Sequence, residues 1–308
     1  MYIIDFYKRM TRKSNVSVLI YLVLNIFVIG GISWMLFSGG VLPFWICLII
    51  GIVLYGISLA VALSPVGEWI LRRQTGCREI KRKEQRAFIE PIFQEVYERA
   101  RALDPTIPDD VQLYMNDDSE PNAFATGRRT ICVTEGMLHM PEGQIKATLA
   151  HEFGHLAHKD TDLILVVSVG NLIVTTTIMG IRLFLDIAHI LTGAFLPCLG
   201  GTDGLAASML NSIFHALETA LIAGATWVWT QIGVVLVMKS SRENEYEADA
   251  FSFQLGYGNE LCMLLDTITE PHVKGLFASL ASSHPAKDDR IARLQSLGAT
   301  YRSSYGEN

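Results

Sequence analysis

The sequence predicts a mainly α integral membrane protein that carries a polar α+β domain with a small β-sheet. Three observations lead there. Of 308 residues, 50% are hydrophobic and only 18% are charged, against about 25% charge in an average soluble domain. The apolar residues are gathered into four uncharged stretches, at 16–37, 42–63, 163–181 and 219–238. The remaining segments, about 72–160 and from 239 onward, have globular composition with helix and strand periodicities. Mean hydropathy is +0.31, which excludes a disordered chain. Five cysteines (Cys47, Cys77, Cys132, Cys198 and Cys262) are odd in number and widely spaced. They read as reduced thiols and not as a disulfide framework. A net charge of −6 argues against a nucleic-acid partner.

A helix needs about 20 apolar residues to cross the hydrocarbon core, and all four stretches approach or exceed that length. Only 38–41 separates the first two, so they read as a tight helical hairpin. A cleaved signal peptide is an alternative for the first, although its apolar run is too long for a typical one. The third and fourth stretches contain Asn171, 175–177 (all threonine) and Gln231. For them a buried helix of a large domain, or one lying against the bilayer, stays open. Orientation follows from Lys and Arg beside the spans. Lys8, Arg9, Arg12 and Lys13 precede the hairpin, and Arg72, Arg73, Arg78, Lys81, Arg82, Lys83 and Arg86 follow it. Both flanks are therefore expected in the cytoplasm. The stretch 183–218 is expected on the far side, and its role is open.

Within the polar part, Ile89, Ile92, Phe93, Val96, Tyr97, Ala100 and Leu103 recur at helical spacing, which predicts an amphipathic helix over 90–103. Pro91 fits its first turn, and Pro105 and Pro108 end it. Short strands are expected at 111–115 and 130–134, with Asn116-Asp117-Asp118 as the turn between them. A helix over 141–158 follows from Pro141 and Glu142 at its start and from Ile145, Leu149, Phe153 and Leu156 along one face. Another is expected over 243–255. This divides the chain into a membrane hairpin (1–71), the first part of the polar domain (72–160), a second membrane pair with its connection (161–238) and the second part of the domain (239–308).

The helix over 141–158 holds His151-Glu152-Phe153-Gly154-His155. Histidines at i and i+4 share a helix face, so both rings can reach one ion while the glutamate holds a water. A catalytic zinc takes three protein ligands and keeps one open position. The best candidate for the third ligand is Glu245, which shares a face with Asp249 at i and i+4, beside the equally acidic Glu243 and Glu247. Spacing alone does not choose between Glu245 and its acidic neighbours. Asp249 could accept a hydrogen bond from a ligand histidine and fix its tautomer.

Four segments together resemble the HtpX-like membrane zinc metalloproteases, relatives of the CAAX prenyl proteases. They are Pro121-Asn122-Ala123-Phe124-Ala125-Thr126-Gly127, Leu149-Ala150-His151-Glu152-Phe153-Gly154-His155 with Asp160, Ser241-Arg242 with Glu245-Tyr246 and Ala248-Asp249, and Ser283-His284-Pro285 with Arg290-Ile291. They come in that family's order and cover nearly the whole chain except 183–218. The resemblance implies a zincin-type (gluzincin) metalloprotease domain on the cytoplasmic side of four transmembrane helices in the cell (inner) membrane. It implies one Zn2+ per chain held by His151, His155 and Glu245, with Glu152 as general base. Asn122 would lie on an edge strand beside the substrate backbone. His284 would stabilise the oxyanion or donate a proton, and Asp249 is a second candidate for the proton. Asp160 and Arg290 would act behind the ligands, Arg290 through a salt bridge. Misfolded or unassembled membrane proteins are the implied substrates. The competing reading is a zinc-containing membrane chaperone or adaptor without proteolysis. Its closed site would need a fourth protein ligand, and His284 and Cys132 are the candidates.

Overall fold

The computed structural model describes residues 16–37, 43–159, 161–177, 179–180, 183–184, 187, 213–214, 216–217, 219–221, 223–233, 242–267 and 285–301. The chain divides into two compact units: 1–18, 62–165 and 235–308 form one, and 19–61 with 166–234 forms the other.

The helical unit is built from α1 (Val16–Phe37) and α2 (Phe44–Ala62), two charge-free helices, together with helical residues from 166–177 and 223–233. A Cβ on Gly30 would stand 2.6 Å from Leu48 Cδ1, and one on Gly51 would stand 3.2 Å from Gly30 Cα. The pair of glycines thus lets α1 and α2 approach backbone to backbone, as small residues do between membrane helices. Large side chains such as Phe27, Trp45, Ile49, Val53, Trp227 and Val228 are exposed, while Asn25, Ser33, Ser58 and Asn171 are buried. Among the described residues one helix, α2, is long and apolar enough by length and composition to cross a bilayer. The expected third span is not one regular α-helix. It opens with a short α-helical turn, Thr161–Ile164, and a π-helical stretch, Leu165–Gly170. The hairpin loop 38–41 and most of 183–218 lie outside the described residues.

The other unit starts with α3 (Pro65–Gln74). Ser64 caps it by accepting from Val66 N at 3.2 Å, Pro65 occupies its first position, where its missing N–H costs no helix bond, and Arg72 and Arg73 lie in its last turn, where the helix dipole favours positive charge. Next comes α4 (Lys83–Leu103), which buries Ile89, Ile92, Phe93, Val96, Tyr97 and Ala100. It begins earlier than the 90–103 read from the sequence, and Pro91 lies inside it instead of in its first turn. The apolar stripe starts at Ile89, and burial of that stripe outweighs the one backbone bond a proline removes.

Three strands follow: β1 (Gln112–Asn116), β2 (Ala123–Ala125) and β3 (Thr130–Thr134). Their order is β1-β3-β2. β1 runs parallel to β3, and β2 runs antiparallel to it. The expected turn between β1 and β3 is therefore not a hairpin, and Asn116 is the last residue of β1. Asp118 N does donate to Asn116 Oδ1 (2.9 Å) and Glu120 N to Asp118 Oδ1 (3.0 Å). These turns redirect the chain into β2, and the hairpin is made by β2 and β3 around Gly127, φ +69°.

α5 (Glu142–His158) buries Ile145, Leu149, Phe153 and Leu156 as expected, and also Ala147, Ala150 and Gly154 on its other sides. Its Phe153 stacks on Tyr97 at 5.3 Å between ring centres and lies 5.6 Å from Phe93. α6 (Arg242–Gln254), α7 (Gly258–Thr267) and α8 (Lys287–Leu297) complete the unit. Together α4, α5, α7 and the inner face of the sheet supply most of one apolar core.

Candidate metal centre

The centre is built where α5 and α6 cross. Gly154 makes the crossing possible: a Cβ there would stand 2.8 Å from Ala248 Cα and 3.1 Å from Phe251 Cβ. Ser252 Oγ of α6 adds a bond to Ala147 O of α5 at 3.1 Å. With α6 at that distance, the periodicity of both helices decides what meets.

On α5, His151 Nε2 and His155 Nε2 lie 3.1 Å apart. On α6, Glu245 places Oε2 3.5 Å from His151 Nε2 and Oε1 3.4 Å from His155 Nε2. Glu243 is exposed, and Glu247 turns to His158 at 3.9 Å. The structure thus brings Glu245, and not its acidic neighbours, to the histidine pair. Ligand atoms of His151, Glu152 and His155 all lie within 4.8 Å of one another. Two imidazole nitrogens and a buried carboxylate aimed at one point form a set complementary to a cation. The donor types are those of a His/His/Glu zinc site, so the residues fit the metal.

Behind the histidines, Asp249 Oδ1 lies 2.9 Å from His151 Nδ1. That contact holds a proton on His151 Nδ1 and turns Nε2 toward Glu245 and His155. Arg290 of α8 forks onto Asp249, Nε to Oδ2 at 2.8 Å and Nη2 to Oδ1 at 2.6 Å. Its Nη1 reaches Glu245 Oε2 at 3.4 Å. One buried guanidinium therefore anchors both carboxylates of α6. Burial pushes the Asp249 carboxyl up, but Arg290 and His151 outweigh it and hold it below the ordinary aspartate value. For His151 burial works downward, and Asp249 and Glu245 reverse this and raise it to about 10. Arg290 is likewise held charged against burial by Asp249 and Glu245.

Glu152 Oε2 accepts from Ala125 N of β2 at 2.7 Å. β2 ends the sheet and pairs with β3 from Ala123 to Ala125, and the pairing is extended on either side, where Thr134 N donates to Asn122 O (2.9 Å) and Thr126 N to Thr130 O (2.8 Å). Asn122 is exposed at the start of that edge. Asp160 and His284 lie outside the described residues. Cys132 is not at the centre; it lies buried in the middle of β3.

Sequence reasoning did not find the Ala125–Glu152 bond, whose only signal is the Asn-Ala-Phe-Ala segment itself. It also missed a second buried ionic cluster. Arg128, following the β2 turn, pairs with Asp162 through Nε to Oδ1 at 2.8 Å and through Nη2 to Oδ2. Its backbone N donates to Glu68 Oε1 of α3 at 3.0 Å. Burial raises the Glu68 carboxyl above its usual value, against the pull of the Arg128 amide, Arg129 and Arg72.

Residues 84–297 match peptidase family M48, and the chain belongs to that family. As a member it is a metalloendopeptidase by class, of the HtpX-like kind. Curated relatives include a protease HtpX homolog of Burkholderia thailandensis, 30% identical over 62% of this chain and 69% of that one. Protease HtpX of a Psychrobacter species is 26% identical over 78% of this chain and 81% of the relative. A protease HtpX homolog of Desulfatibacillum aliphaticivorans is 29% identical over 59% of this chain, which spans 62% of that relative's length.

Proposed function

We propose that the protein is a zinc-dependent membrane endopeptidase that hydrolyses peptide bonds of misfolded or unassembled membrane proteins at the cytoplasmic face. The observation that carries the reading is the carboxylate of Glu245, delivered from a second helix to both histidines of the His-Glu-x-x-His turn. His151, His155 and Glu245 would hold one Zn2+, which when bound supplies a Lewis acid and lowers the pKa of water.

The chain's own residues supply the rest. Glu152 takes the proton of the attacking water on its carboxylate and returns it to the leaving amine. Its bond to Ala125 fixes that carboxylate beside the edge strand, so base and substrate backbone are registered to each other. An extended substrate adds to the free edge of β2 next to Asn122, by backbone pairing that tolerates many sequences. Asp249 orients His151, and Arg290 orients Asp249 and Glu245. His284 steadies the developing oxyanion or donates a proton, and Asp160 supports the ligand helix. The helical unit exposes large apolar side chains and buries Asn25, Ser33, Ser58 and Asn171 among apolar ones, which supports four membrane spans, and the basic flanks of the hairpin support a cytoplasmic site.

The test compares wild type with Glu152→Gln, both zinc-loaded in detergent, on an unfolded model polypeptide. Fragments from wild type alone are expected. Equal cleavage by both would overturn Glu152 as the base. Zinc bound at one per chain with no cleavage by either would favour the chaperone or adaptor reading.

A further inference from the structure

At the β2–β3 turn, side chains from two other elements converge on two residues. Gly127 takes the left-handed conformation, φ +69°, and a Cβ there would stand 2.5 Å from Glu68 Cγ. The turn therefore rests directly on the Glu68 side chain of α3. Arg128 N donates to Glu68 Oε1 at 3.0 Å. From the segment that follows α5, Thr161 Oγ1 donates to Gly127 O at 2.5 Å. Asp162 takes the Arg128 guanidinium, Nε to Oδ1 at 2.8 Å and Nη2 to Oδ2. Glu68, Thr161, Asp162 and Arg128 are all buried, so water does not compete for these bonds. Well-packed apolar side chains could stabilise such a place as well as ions do. They could not bond a turn's own N–H and C=O, and those bonds fix where its backbone sits.

The backbone held in this way leads straight to the catalytic machinery. Two residues before Gly127, Ala125 N donates to Glu152 Oε2 at 2.7 Å. α5 ends at His158, and Lys159, at φ +59°, turns the chain. Thr161 and Asp162 thus follow closely on the helix that carries Glu152. The β2 end of the hairpin is tethered to one continuous segment at two points, Ala125 to mid-helix and the turn to residues just past the helix end. One tether would let the strand pivot about Glu152, and two fix its direction. β2 has only three residues and pairs with β3 on one side, so its own ladder bonds resist a pivot weakly.

We propose that Glu68, Thr161 and Asp162 are positioning residues. They clamp the β2–β3 turn and so keep the edge strand, and the amide that Ala125 gives to Glu152, in register with the metal centre. The clamp's role in catalysis rests on the reading above, in which Glu152 is the base and substrate adds to β2. Burial already raises the Glu68 carboxyl above its usual value, so a neutral side chain offering the same oxygen should serve the Arg128 amide equally.

The experiment uses the full-length protein in detergent and three variants. Glu68→Ala removes the acceptor, Glu68→Gln restores one, and Thr161→Val removes a hydroxyl with little change of shape. Amide hydrogen exchange is followed by mass spectrometry on the metal-free protein. Exchange over residues 123–130 should quicken by about tenfold in Glu68→Ala, while residues 144–156 stay as protected as in wild type. On an unfolded model polypeptide, kcat per bound zinc should fall by about 10- to 100-fold with zinc still bound at one per chain. Thr161→Val should change both in the same direction and less, and Glu68→Gln should return both to near wild type. A role in stability alone would lower the folded fraction and leave kcat per bound zinc unchanged. The proposal fails if exchange over 123–130 does not change, or if it quickens while kcat per bound zinc stays at the wild-type value. It fails equally if Glu68→Gln is as impaired as Glu68→Ala. If Glu68→Ala does not fold, Thr161→Val decides. If zinc-loaded wild type cleaves nothing, the proposed peptidase reading is what falls, and exchange alone then decides whether the clamp holds the strand.

Discussion

The two units of this chain bury polar side chains in different ways. Among the described residues the peptidase unit buries ionic groups beside neutral ones such as Thr130, Thr134 and Ser252. Asp249, Arg290, His151 and Glu245 form one cluster and Arg128, Asp162 and Glu68 another, within a unit whose apolar side chains are mostly inside. In the helical unit the buried polar groups are neutral. Asn25 Nδ2 donates to Asn171 Oδ1 (2.7 Å), and Asn171 Nδ2 donates to Tyr21 OH (2.9 Å) and Thr230 Oγ1 (3.2 Å). Trp229 Nε1 donates to Asn25 Oδ1 (2.8 Å), and Tyr21 stacks on the Trp229 ring at 5.0 Å. Around this network the large apolar side chains face outward. On the membrane placement proposed above, the difference follows from solvent. A unit in water can bury charges if they are paired, and gains a rigidly aimed site from them. A unit in lipid has no apolar transfer to drive helix association, so helices are joined by close packing and by amide and hydroxyl bonds.

The comparison breaks most visibly at Arg290. Arg290→Ala leaves Asp249 and Glu245 buried without their cation. Removing one partner of a buried pair costs about 3–5 kcal/mol, so the metal-free peptidase unit should unfold at markedly lower denaturant concentration. A change below about 1 kcal/mol would mean that the clamp is ornamental. Next in size is Asp249→Asn, which keeps the shape and loses the charge behind His151. Zinc affinity should fall about 10–100-fold, measured by competition with a chromogenic chelator, while the helical unit is untouched.

Acid sharpens the contrast. The folded Asp249 carboxyl titrates below its unfolded value of about 3.9, so its contribution is present above that pH. It is lost as pH falls from there through the lower folded value. Metal-free wild type should therefore lose stability steeply below about pH 4, and Asp249→Asn should lose less. The neutral network of the helical unit contributes no such slope. The smallest effect is expected from Asn171→Leu, which removes the centre of that network. Single side-chain bonds between membrane helices are worth about 0.6 kcal/mol and rarely above about 1.7. A modest drop in detergent thermal stability with zinc content unchanged is the expected result. Loss of zinc in this variant would contradict the separation of the two networks.

What was legible in the sequence was local. The four apolar stretches, the helix carrying His151 and His155, and the strand Thr130–Thr134 each follow from patterns within about 20 residues. Pairing was not legible. β1 and β3 run parallel because the chain makes β2 between them, and three residues of strand carry too weak a period to be seen. Pro91 misled the reading of α4 because it was taken to mark the first turn, whereas the helix begins at Lys83 and carries the proline inside it.

The sequence by itself determined that two histidines and a glutamate share one helical turn, since an α-helix fixes the positions of i and i+4 without outside help. It also determined where the long uncharged helices α1 and α2 lie, since those are properties of composition and length. Only the tertiary structure decided that Glu245 is the acidic residue that faces the pair and that Arg290 holds it there with Asp249. Each of those contacts joins residues some 40 to 95 positions apart. Their geometry depends on how closely helices and strands pack, as at Gly154 against Ala248, and no local period encodes that distance.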